Sequence, residues 1–139
     1  MFPTVGEHLT GHRSLAAKDQ GAGTFQGDGI DTKGVKELMF IVDAGVALAT
    51  STNNIKFQNS DDDGVGDAYA DIPGATVAEI TDANDQTVYI VRVRVEGLAK
   101  RWIRPFSTVA VANAEFGITC VKSYVKYPKA ANPVLALSI

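Results

Sequence analysis

A chain of 139 residues with 45% hydrophobic and 21% charged side chains has the size and make-up of one folded domain, which excludes a disordered tail. No apolar run approaches the ~20 residues of a membrane helix, and Phe2 to Val5 leads into Gly6, Glu7 and His8 rather than an apolar signal stretch. The expectation is therefore a chain already mature or working where it is made. A net charge of −3 weighs against wrapping nucleic acid, and one cysteine with two histidines leaves no intrachain disulfide and no His/Cys zinc site.

Residues 1–34 are poor in large apolar groups and punctuated by Gly21, Gly23, Gly27, Gly29 and Gly34. That composition predicts an extended Gly-rich arm ahead of a domain over 35–139. His8 and His12 are four apart, but Gly11 between them makes a helical metal pair a poor reading. From Val35 the character changes. Leu38 to Val42 is a continuous apolar run, as expected of a strand covered on both faces, and Asp43, Ala44 and Gly45 predict a bend after it. Ile55 to Gln58 reads as a short strand before the acidic loop Asn59 to Asp67.

The plainest signal is Thr87 to Glu96. Tyr89, Val91, Val93 and Val95 alternate with Ile90, Arg92, Arg94 and Glu96, a period of two that puts one face in a core and charge on the other. Trp102 to Val111 and Phe116 to Tyr127 follow as strands across a tight connection, and Cys120 within the second reads as a core thiol. Short strands at roughly ten-residue spacing, with no helical periodicity, predict an all-β antiparallel sandwich or barrel.

Three segments are candidates for function. Asn59, Asp61, Asp63 and Asp67 fall on ligand positions of a calcium loop, with Gly64 at the turn, yet the twelfth position is Ala70 instead of glutamate. A hairpin tip built from Asp and Gly is the stronger reading, and no cofactor is expected. Arg101, Trp102, Arg104 and Phe106 form a basic-aromatic run, and residues two apart on a strand share a face. Its readings are a protein interface, cross-strand ion pairing, or a polyanion contact, in that order. The apolar end, with Val134, Leu135 and Leu137, either closes the sandwich or docks on a neighbouring subunit. No GxSxG elbow or zincin pattern is present, so an enzyme is not expected.

The order of three segments, IDTKGVKELMFIV at Ile30 to Val42, IKFQNSDDDG at Ile55 to Gly64 and RWIR at Arg101 to Arg104, resembles small head structural proteins of tailed bacteriophages. The better-described members of that group are capsid decoration, or cement, proteins. The resemblance implies a jelly-roll-like sandwich on the capsid exterior, made in the host cytoplasm and assembled as a trimer or dimer. Its partner would be the major capsid protein, with no nucleic acid or membrane involved. A carbohydrate-binding or adhesive sandwich using Trp102, Tyr69 or Tyr89, and a head-tail joining protein, are the alternatives.

Overall fold

The computed structural model describes residues 9–124. Among these residues ten strands run in chain order: β1 Leu9–Gln20, β2 Gly23–Gln26, β3 Ile30–Asp31, β4 Val35–Ala47, β5 Thr52–Ser60, β6 Ala70–Thr76, β7 Ile80–Thr81, β8 Thr87–Arg94, β9 Trp102–Ala110 and β10 Ala114–Tyr124. A 3₁₀ turn at Val95–Gly97 joins β8 to β9. The first sheet has the order β1-β10-β4-β8. The second is β2-β9-β5-β6, with β3 also on β9 and β7 also on β5. All the pairings are antiparallel. Taking β2 with β3, and β6 with β7, as interrupted strands leaves the order 1-8-3-6 facing 2-7-4-5. That is a jelly-roll sandwich.

The core between the sheets follows from alternation. Leu38, Phe40 and Val42 of β4, Ile55 and Phe57 of β5, Ile103 and Val109 of β9, and Phe116, Ile118 and Cys120 of β10 all point inward and are buried. Phe40 of the first sheet meets Phe57 of the second at 4.7 Å between ring centroids. Each large side chain so buried contributes about 1.5–3 kcal/mol. Burial pushes the Cys120 thiol up to about 12, so it behaves as an inert core group.

Pro105 explains why β2 and β3 are two pieces. It is fully buried in the middle of β9 and has no N–H to give a neighbouring strand. The chain passing it bends out at Gly27, whose N–H donates to the Pro105 carbonyl at 2.9 Å. Pairing resumes at Ile30, opposite Ile103.

The structure corrects the expected arm. Its described part, residues 9–34, is extended but belongs to both sheets: β1 pairs with β10 along its length, and β2 and β3 pair with β9. Two physical facts hid this. The inward side chains of β1 are Thr10, Ser14 and Gln20, so no apolar alternation marks the strand. The glycines serve close approach instead of flexibility: a Cβ on Gly27 would lie 2.5 Å from the Pro105 ring, and one on Gly29 would collide with the Asp63 carboxylate and the Tyr69 hydroxyl.

The expected bend at Asp43 to Gly45 is also corrected, because β4 continues through it to Ala47. Gly45 there allows close packing of Glu115, whose Cβ would stand 2.9 Å from an added Cβ. Met39 and Ile41 face outward and are only half-buried, so β4 is covered on one face. The expectations for His8 and for Val134, Leu135 and Leu137 lie outside the described residues.

Candidate functional site

The outer face of the second sheet collects the basic-aromatic run. In β9 the residues Ile103, Pro105, Ser107 and Val109 are buried inside, which turns Trp102, Arg104 and Phe106 outward, all half-buried. Trp102 and Phe106 are thus on one face with Arg104 between them. Opposite them β5 presents Gln58 to Arg104 and Lys56 to Phe106.

Each cation on this face is held. Arg104 Nε donates to Gln58 Oε1 and its Nη1 to Gln26 Oε1, both at 3.0 Å, while its guanidinium lies 4.0 Å over the Tyr69 ring. The Tyr69 hydroxyl donates to Asp63 Oδ1 at 2.7 Å. Partial burial, then that hydrogen bond to a carboxylate, raise the Tyr69 pKa and keep it a neutral donor. Lys56 Nζ sits 5.0 Å from the Phe106 ring centroid and 2.7 Å from Asp71 Oδ2, and Gln58 Nε2 donates to the other oxygen of Asp71. The Lys56 hydrogen bond, with that of Gln58, holds Asp71 below the usual carboxylate range.

Arg101, just before β9, grips Asp31 of β3 through two hydrogen bonds, Nε to Oδ1 at 2.7 Å and Nη2 to Oδ2 at 2.6 Å. This bidentate pair lowers the Asp31 pKa and fastens β3 to β9. Thr32 adds a second tie, its hydroxyl and its N–H both donating to the Arg101 carbonyl. Arg101 also stands 5.7 Å from the Trp102 ring.

The acidic loop borders this face and is organised around its own backbone. Asp62 accepts the N–H groups of Gly66 and Asp67 at 2.7 and 3.0 Å, and these bonds lower its pKa. Ser60 Oγ accepts from Gly64 N–H and donates to the Asp67 carbonyl. Both Asp67 oxygens bind Lys100 Nζ, at 2.9 and 2.7 Å, and Asp61 N–H donates to Asp67 Oδ2. Lys100 lowers the Asp67 pKa and has its own raised in return.

The calcium-loop positions therefore diverge. Asn59 is buried at the end of β5, Asp63 turns to Tyr69, and Asp67 turns to Lys100. Among the described residues no three His, Cys, Asp or Glu side chains are placed to hold a metal ion. Asp63 and Gly64, at φ of +60° and +81°, make the tight reversal for which Asp and Gly are suited. His12 is in β1, its Nε2 buried and 4.0 Å from Asp28 Oδ2.

Trp102, Arg104 and Phe106 share the outer face of β9, and Arg101 stands just before the strand, turned to Asp31. Their partners Asp31, Gln26, Gln58, Lys56 and Asp71 were missed, since nothing but the strand register brings them near. What the arrangement can do is bind. Aromatic rings lie beside cations that are already hydrogen-bonded, Lys56 to a carboxylate and Arg104 to two amide oxygens, so a partner would meet flat apolar rings next to a guanidinium whose orientation is fixed.

No protein-family model and no curated protein matches the chain. Among solved structures it is similar to the PBSX exported protein XepA, with a TM-score of 0.62 at 15% sequence identity. The likeness is one of fold. It covers 100% of this chain and 46% of XepA, so the chain spans less than half of that protein. No helix among the described residues is long and apolar enough to cross a membrane.

Proposed function

We propose that this chain is a phage virion structural protein, a capsid decoration module that binds the outer surface of the major capsid lattice and stabilises the head. It acts by binding and carries out no catalysis. The observation that carries the reading is the row Trp102, Arg104 and Phe106 on one outer face, with Arg104 held by Gln26, Gln58 and Tyr69, Lys56 beside the Phe106 ring and Arg101 beside the Trp102 ring. Ordered aromatic and arginine side chains are the usual anchors of protein interfaces, because their area is large and little rotamer entropy remains to be lost. Two further points support it: the jelly-roll order of the strands, and a fold neighbour from PBSX.

The test is to add the purified protein to heads that lack it and sediment them. Binding in numbers comparable to the capsid subunits, lost in Trp102→Ala, is the expected result. Binding at one vertex only would identify a head-tail joining protein, and no binding would remove the phage-head reading.

The description of XepA as an exported protein favours one second reading, an adhesive or carbohydrate-binding sandwich. Its stacking platform would be Trp102, since the Tyr69 ring is already occupied by Arg104. Binding to a glycan array, lost in Trp102→Ala, would support this reading over the first.

A further inference from the structure

Among the described residues the two sheets have four outer edges, and three of them are blunted. The β1 edge is broken by two register shifts against β10, at Arg13/Leu15 and Leu15/Lys18. On the second sheet β2 is four residues long and β3 two, while β6 contains Pro73 and Gly74 and slips register against β5. Bulges, shortness, proline and charged side chains are devices that stop an edge from accepting another strand. β8 has only the last, Arg92 and Arg94 in its C-terminal half. It pairs with β4 from Glu37↔Arg94 to Ala44↔Thr87 without a shift, contains no proline, and has no strand on its other side among the described residues. Val88 and Ile90 on its outer face are 54% and 59% exposed. Its inner-facing Tyr89, Val91 and Val93 pack on the core yet stay only half-buried, because the sandwich is open along this flank.

We infer that β8 pairs antiparallel with the β8 of a second copy of this chain, across a two-fold axis at Ile90 or Val91. The order of charge along the strand selects both the occupant and the direction. The N-terminal half of the outer face is apolar, Val88 and Ile90, and the C-terminal half is basic, Arg92 and Arg94. A parallel pair would align arginine with arginine, and like charges on neighbouring strands repel. An antiparallel pair centred on Ile90 sets Ile90 against its own copy and Val88 against Arg92. Centred on Val91, it sets Ile90 against Arg92 and Val88 against Arg94 on the outside, and Tyr89 against Val93 on the inside. In the first, Arg92 lies over Val88 and Arg94 falls opposite Gln86, just beyond the strand; in the second, both arginine stems lie over apolar side chains; in neither does one arginine meet another. The contact is isologous and consumes both free edges, so it closes at a dimer and does not propagate into a fibre. It uses a different sheet from the Trp102 face and does not depend on the function proposed there.

Sedimentation velocity of the full chain over a range of concentrations tests this. A monomer–dimer equilibrium is expected, weakened roughly tenfold or more by the double substitution Val88→Lys/Ile90→Lys, which puts further positive charge opposite the arginines. The sole native cysteine, Cys120, is buried, so a new thiol on the β8 edge can be read alone. Ile90→Cys or Val91→Cys, according to the axis, should give a disulfide-linked dimer under mild oxidation. A wild-type chain that stays monomeric throughout overturns the inference. So does a trimer or larger ring that the lysine substitutions leave intact and neither cysteine variant crosslinks.

Discussion

On the outer face of the second sheet the cations of β5 and β9 are all partnered, Lys56 by Asp71 and Arg104 by Gln58 and Gln26. On the first sheet Val88 and Ile90 stand exposed, and Arg92 reaches Glu37 only at 3.8 Å. The two surfaces carry similar residue types, aromatic or aliphatic groups next to arginine, but differ in how far those groups are fixed. A fixed face can recognise a separate partner at little entropic cost. An open strand edge instead offers unpaired backbone groups, which any extended strand can complete and which therefore need a definite occupant.

The largest effect on this comparison should come from the core that both sheets share. Phe57→Ala removes the ring that meets Phe40 and should cost about 3–5 kcal/mol of folding stability in urea melts. Both surfaces should then fail together. Gly27→Ala should come next, at about 1–3 kcal/mol, because its Cβ must displace the Pro105 ring or Ser14. A smaller loss would mean that residues 9–34 are held less firmly than their pairing implies.

Trp102→Ala separates the faces. Trp102 lies outside the sandwich, so folding should lose well under the core value, while association through this face should lose about 2 kcal/mol or more. The smallest effects concern charge. Asp31, Asp62, Asp67 and Asp71 all titrate below their ordinary 3.8 in the folded protein. Above pH 3.8 they are charged in both states and their stabilisation is complete. Below it the unfolded chain takes up protons first, so stability declines until the folded carboxylates protonate as well. Asp31→Asn should remove part of that decline and loosen β3, whereas Val88→Lys should leave it unchanged, which thermal melts at successive pH values would show.

Much of this arrangement was legible from residues alone. β8 could be placed because valine and arginine alternate there without interruption, and the shared face of Trp102, Arg104 and Phe106 followed from the same period of two. β1 could not, since Thr10, Ser14 and Gln20 are the residues it buries and polar burial leaves no hydropathy signal. Nor could the partners of the arginines. Asp31 is 70 residues from Arg101 and Gln26 is 78 from Arg104, distances that only the jelly-roll crossing closes. Gly27 and Gly29 misled for a related reason: the groups they make room for, Pro105, Asp63 and Tyr69, are far along the chain.

If the Trp102 face is a binding surface rather than part of what holds the domain together, folding and binding must separate when its ring is removed. The most direct measurement is a paired one on Trp102→Ala, a urea melt of the isolated chain and its binding to heads lacking the protein. A melt close to wild type is expected, with binding weakened at least roughly tenfold, the change that follows removal of an aromatic anchor. A melt that loses as much stability as Phe57→Ala, or heads that bind the variant as tightly as wild type, would contradict a binding role for this face.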